Sequence, residues 1–135
     1  MPTDTTTPLL QQYYARFNAA DWDGMLELLT DDVTHDVNES SSEGGKARFK
    51  EFLARMDRCY REHIEEVVIL LNGDGSRAAV EYVVSGTYQS TDGGLTEARG
   101  QTYRLPGGAF FTIRSGKIAR ITNYYNLQEW LRQIA

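Results

Sequence analysis

The chain is poor in several residue types, and each shortage removes a class of function. Cys59 is the single cysteine in 135 residues, so no intrachain disulfide is possible, and its helical surroundings suggest a small buried hydrophobe. There are two histidines, His35 and His63; they fall on separate strands, and Asp36 alternates away from His35, so no metal site is expected. No apolar stretch reaches the ~20 residues of a membrane span. Lys and Arg number 14 against 19 Asp and Glu, for a net charge of -5, which argues against the basic surface of a nucleic-acid binder. No Ser-His-Asp signature, phosphate loop or dinucleotide fingerprint is present, so no cofactor is expected. The first eight residues are rich in Thr and Pro without a signal-peptide core, and the expected compartment is the cytoplasm.

What is present builds one domain over 1–135, with 1–7 as a flexible tail. Leu10, Tyr13, Phe17 and Ala20 share a helical face, and Asp21 is positioned as the N-cap of a second helix through Trp22, Met25, Leu26, Leu28 and Leu29. Thr30-Asp31-Asp32 punctuates that helix, and Val33, His35 and Val37 then alternate with Thr34, Asp36 and Asn38 as in a half-buried strand. A loop over 39–45 leads to a third helix carrying Phe49, Phe52, Leu53, Met56, Cys59 and Tyr60.

From there the period becomes two. Strands are expected over 64–71, 77–90, 100–113 and 118–126, with turns at Asn72-Gly73-Asp74-Gly75, Thr91-Asp92-Gly93-Gly94 and Arg114-Ser115-Gly116-Lys117. Pro106-Gly107-Gly108 should bend or bulge its strand. A short terminal helix or turn covers 127–134. Glu62, Glu65 and Glu66 read as solvated charge. The fold class is α+β: three N-terminal helices packed on one face of a curved, mostly antiparallel sheet, forming a cone-shaped α+β barrel. Glu81, Val83, Ser85 and Thr87 face outward, compatible with a homodimer packed sheet to sheet.

Tyr-x-x-x-Phe-Asn-Ala-x-Asp-x-Asp-Gly over residues 13–24 resembles the nuclear-transport-factor-two-like superfamily, most closely its ketosteroid isomerases and SnoaL-like cyclases. Two weaker patches, 45–52 and 111–118, carry the same resemblance. Thr34-His35-Asp36-Val37-Asn38 and 97–103 are similar to a steroid-isomerase-related group. The resemblance implies a conical pocket between helices and sheet, a small apolar ligand, and usually a dimer. It places Tyr13 at the isomerase tyrosine, but puts Val37 at the general-base position and Ala109 at the carboxylic-acid donor. Plain ketosteroid isomerase is therefore rejected.

The candidate catalytic residues are Tyr13, His35, Asn123 and Asp36. Tyr13 either donates to a ligand oxygen or is a core aromatic. His35 shares a face with Val37 and either moves a proton or is a satisfied structural histidine. Asp36 would enter the pocket only if a bulge exchanged it with His35. Asn123, inward on the last strand, would orient a ligand or His35. Phe17, Val37, Tyr82, Val84, Tyr88, Ala109, Phe111 and Tyr125 are the expected ligand-lining set, although Val84 and Phe111 read best as core. Glu97 and Arg99 suggest a loop-edge salt bridge. Two functions follow: a cofactor-independent isomerase or cyclase moving a proton on a mainly apolar carbonyl compound, or a non-catalytic module binding a small hydrophobic ligand or a protein partner.

Overall fold

The structure, a computed structural model, describes residues 4–38 and 42–135. Its elements are α1 (Thr6–Asn18), α2 (Trp22–Glu27), β1 (Leu29–Val37), β2 (Glu43–Gly44), α3 (Lys46–Cys59), β3 (Tyr60–Leu71), β4 (Arg77–Tyr88), β5 (Gln101–Arg114), β6 (Lys117–Tyr125) and α4 (Leu127–Ile134). Six strands form one curved sheet in the order β2-β1-β6-β5-β4-β3. Among the described residues only β1 and β6 run parallel; every other pairing is antiparallel.

Helices α1, α2 and α3 precede the four-strand run, and the segment 127–134, expected as a helix or turn, is a helix. Four helices are present among the described residues, and the fourth, α4, packs against β5. Its start is capped by Asn126, whose side chain accepts from the Glu129 N–H.

Helix α1 begins inside the stretch expected to be a loose tail. The Asp4 carboxylate accepts from the N–H groups of Thr6 and Thr7, each at 3.0 Å, and the buried Thr6 hydroxyl donates to the Gly75 carbonyl at 2.7 Å. The first two bonds cap the first turn, and the third fastens it to the β3–β4 hairpin. Residues 1–3 of the expected tail lie outside the described residues, as do 39–41 of the expected loop. Asp21 caps α2 by accepting from the Gly24 N–H at 3.0 Å.

Thr30-Asp31-Asp32 does not interrupt the chain; these residues lie within β1. Both carboxylates are exposed there and meet Lys46 and Arg114, so their charge costs the strand little. Nor does Pro106-Gly107-Gly108 bulge against β4. The ladder runs unbroken through Val83↔Pro106, Tyr82↔Gly107 and Glu81↔Gly108, and the irregularity falls instead between Thr112 and Ile113 on the β6 side. The glycine serves a packing purpose: a β-carbon on Gly107 would come within 2.6 Å of the Tyr82 ring.

Strand β3 starts four residues before its expected beginning, so Tyr60, Glu62 and Ile64 alternate on the inner face. Midway along it, a bulge between Glu65 and Val68 carries Glu66 at a positive φ of 54°. Leu10, Met25, Phe49, Leu53, Phe111 and Ile121 are fully buried at the centre of the core.

Candidate functional site

Between α1, α3 and the concave sheet lies a cavity of about 740 Å3, the size range of small-molecule sites. Tyr13, Tyr14 and Phe17 enter from α1, and Phe49, Phe52 and Met56 from α3. The strands add His35, Val37, Glu62, Tyr82, Val84, Tyr103, Asn123 and Tyr125, with Trp130 from α4.

Strand β1 alternates cleanly at this point. His35 and Val37 pair with Ile121 and Asn123 of β6 and face the cavity, whereas Asp36 faces away. The β1 register shift lies between Leu29 and Thr34, ahead of His35, so no exchange of the two side chains occurs. Asp36 accepts from the Thr122 hydroxyl at 2.9 Å, and Arg120 donates to that hydroxyl in turn. Its carboxyl is held below the usual value first by a Ser42 hydrogen bond. Asp36 is thus a poor candidate for cavity chemistry.

His35 is 6% exposed and set between two aromatic rings, its centroid 4.9 Å from that of Phe49 and 4.5 Å from that of Phe52. Burial lowers its pKa to about 4, although the nearby Asp36 and Glu43 carboxylates oppose the shift. The imidazole is therefore neutral at pH 7. Its Nε2 is buried without a hydrogen-bond partner among the described residues, and so is the hydroxyl of Tyr14. Buried polar atoms of this kind are rare and call for a reason.

Tyr13 also lines the cavity, with its ring edge-on to both Tyr14 and Phe111. Burial raises its pKa, with a smaller contribution from Tyr82, so the phenol keeps its proton and acts only as a donor or a neutral acceptor. Asn123 accepts from the Tyr82 hydroxyl at 3.3 Å, which fixes the orientation of its amide.

Phe17, Val37, Tyr82, Val84 and Tyr125 line the cavity; Tyr88, Ala109 and Phe111 do not. Tyr88 belongs to the scaffold, its hydroxyl donating to the Thr96 carbonyl at 2.7 Å and accepting from the Asp92 N–H at 2.9 Å. Ala109 and Phe111 are buried in the core, the latter behind Tyr13. Glu97 and Arg99 lie in a loop, where Arg99 donates to the backbone carbonyls of Glu97 and Ala135 and not to the Glu97 carboxylate.

Among the cavity residues that escaped the sequence reading are Tyr14, Glu62 and Tyr103. Tyr14 follows Leu10 by four and precedes Phe17 by three, so the helical stripe already contained it. Glu62 was masked by its neighbours: Glu65 and Glu66 pair with Arg104 at the surface, but Glu62 turns inward. There it accepts from the Tyr103 hydroxyl at 2.6 Å. Burial pushes its carboxyl above the ordinary glutamate value, against that hydrogen bond. Tyr103, the third, follows the inward phase of β5 with Leu105.

No group of three or more His, Cys, Asp or Glu side chains that could hold a metal occurs among the described residues, and none of their helices is long and apolar enough to cross a membrane.

Comparison with known proteins agrees with this architecture. A family model described as a SnoaL-like domain matches residues 10–121. A solved protein from Xanthomonas campestris pv. campestris, provisionally assigned as a polyketide cyclase, is 51% identical over 100% of both chains, with a TM-score of 0.96. Another with the same provisional assignment, from Pseudomonas putida KT2440, is 54% identical over 96% of this chain and 98% of its own, with a TM-score of 0.94. An NTF2-like protein from Burkholderia xenovorans LB400 shares the fold at 18% identity, covering 100% of this chain and 99% of its own with a TM-score of 0.78. No curated protein matches. The chain belongs to the SnoaL-like domain family, within the nuclear-transport-factor-two-like fold.

Proposed function

We propose that the protein is a cofactor-independent enzyme of the cyclase or isomerase kind, moving a proton on a mainly apolar carbonyl compound. The observation that carries this reading is the buried, unpartnered Nε2 of His35 in the wall of an aromatic cavity that Tyr13 also lines. In this role the neutral imidazole takes a proton from the carbon beside a ligand carbonyl. Tyr13 donates a hydrogen bond to the oxygen on which charge develops, and Asn123 orients the ligand. Closing a polyketide ring by carbon–carbon bond formation requires such a proton removal, so the provisional assignments of the relatives at 51% and 54% identity support the reading.

The test uses 2-tetralone, an apolar ketone whose C1 protons exchange with deuterium only after a base removes them. In D2O, proton NMR is expected to show the wild-type protein exchanging these protons faster than buffer. His35→Gln should lower the rate by roughly 100-fold. Saturable binding of 2-tetralone with no faster exchange would overturn catalysis and leave a binding module for small hydrophobic ligands.

A further inference from the structure

Glu62, Gly86 and Tyr103 are neighbours across three strands: Glu62 pairs with Gly86, and Gly86 with Tyr103. A β-carbon on Gly86 would overlap the Tyr103 ring. The missing side chain is what allows the phenol to cross β4 and reach the carboxyl of β3 at 2.6 Å. Trp130 of α4 packs edge-on to Tyr103 with centroids 5.9 Å apart, holding the ring from the other side. Three elements thus support one acid in the cavity wall.

A purely structural carboxylate in such a place would carry a cation. None of the salt bridges among the described residues reaches Glu62. Of the cavity arginines, Arg55 pairs with Asp92 at 3.6 Å, and Arg48 and Arg58 lie along the same helix, α3. Tyr82, Tyr103 and Tyr125 are close enough for a charge on Glu62 to raise their pKa values, while Tyr60 donates to Asp92 at 2.7 Å and Tyr13 and Tyr14 face the cavity from α1. Glu62 also borders an outer cleft with Arg61, His63 and Arg104, but Arg104 pairs with Glu65 and Glu66. Towards the cavity Glu62 faces phenols, and phenols stabilise a charged carboxyl far less than a cation does. Burial accordingly favours its neutral, proton-carrying form.

In the strand order, β1 and β3 are separated by β6, β5 and β4, so His35 and Glu62 stand on opposite flanks of the curved sheet around one cavity. We propose that Glu62, held by Tyr103, is the second proton-handling residue of this cavity, giving its proton to the ligand's carbonyl oxygen as His35 removes one from the adjacent carbon. The inference rests on the proposed reading of His35.

The step balances without a further reactant. The imidazole lone pair forms an N–H bond and the C–H pair becomes the carbon–carbon double bond. The carbonyl π pair moves to oxygen, which takes the Glu62 proton. Enol, imidazolium and carboxylate result. Return of the imidazolium proton to carbon, and of the enol hydroxyl proton to Glu62, restores both side chains.

Exchange of 2-tetralone tests this directly. Glu62→Gln keeps the volume and an acceptor for Tyr103 but has no acidic proton to give. Its kcat is expected to fall roughly 100-fold with KM within about threefold, and the loss of wild-type rate on the alkaline side should vanish. Tyr103→Phe removes a hydrogen bond that favours the charged carboxyl, so its alkaline limb should move to higher pH; a merely structural bond would leave that limb in place. The Tyr103→Phe profile decides the matter if Glu62→Gln does not fold. Wild-type kcat and alkaline limb in Glu62→Gln, with exchange lost in His35→Gln, would overturn the role of Glu62 and leave that of His35 standing. No exchange by the wild type would overturn both.

Discussion

The side chain of Asn18 pairs with the backbone of Ile64 as a neighbouring strand would. Its Nδ2 donates to the Ile64 carbonyl at 2.8 Å, and the Ile64 N–H donates back to Oδ1 at 2.7 Å. The last residue of α1 is thereby fixed to the strand that carries Glu62, and Tyr13, Tyr14 and Phe17 are set over the sheet. Asn18→Ala would leave both backbone groups of Ile64 without these partners, at an expected cost of about 1–3 kcal/mol. Urea denaturation checks this; a change below about 0.5 kcal/mol would mean that water replaces the amide freely.

The pH dependence of stability should carry the signature of His35. Its pKa is about 4 in the folded protein, below the ordinary histidine value of 6.5. Between those values the unfolded chain binds a proton that the folded chain refuses, so stability falls as pH drops from 6.5 towards 4. The loss is on the order of 3 kcal/mol. Glu62 acts in the opposite direction, since its raised pKa makes stability fall as pH rises above the ordinary glutamate range. Denaturation of wild type against His35→Phe isolates the first contribution: the variant should gain relative stability below pH 6, and parallel curves would disprove the burial penalty.

Gly86→Ala places a methyl group where the Tyr103 ring passes. It should cost about 1–3 kcal/mol through overpacking, and Tyr103→Ala in the same chain should relieve most of that penalty. A double-mutant cycle measures the coupling, and strict additivity would show that the ring moves aside without cost.

Tyr88→Phe leaves the cavity lining intact but removes the hydroxyl that joins Thr96 to Asp92. The expected result is faster amide exchange in the 91–97 loop and a stability loss of about 1–2 kcal/mol. Mass-detected hydrogen exchange reads the loop directly, and unchanged protection there would assign the tether to other contacts.

Local patterns carried much of the fold. The two-residue period of β4 directs Ala78, Val80, Tyr82, Val84 and Tyr88 inward, and Asp21 signals the start of α2 because capping chemistry is local. Less legible was anything decided by a partner strand. Pro106-Gly107-Gly108 has the composition of a bend, yet its glycine accommodates Tyr82 within a regular ladder. Thr30-Asp31-Asp32 has the composition of a turn, yet pairing of Leu29 with Ile118 places it in a strand. The site divided in the same way. The alternation that turns His35 and Val37 inward was visible, whereas the inward turn of Glu62 depended on starting β3 at Tyr60 and on a phenol 41 residues further along the chain.

The parallel pairing of β1 with β6 has a consequence for how the molecule is made. Asp36 and Thr122, bonded across that seam, are 86 residues apart in the chain. On a ribosome β2 and α3 reach His35 soon after it emerges, but the other edge of its strand has no partner until the chain has been synthesised through β6. Until then that edge of β1 must wait unpaired, and closure of this long loop sets a slow late step in folding. Nascent chains halted before β6 should therefore engage holdase chaperones, and release of the final strand should free them.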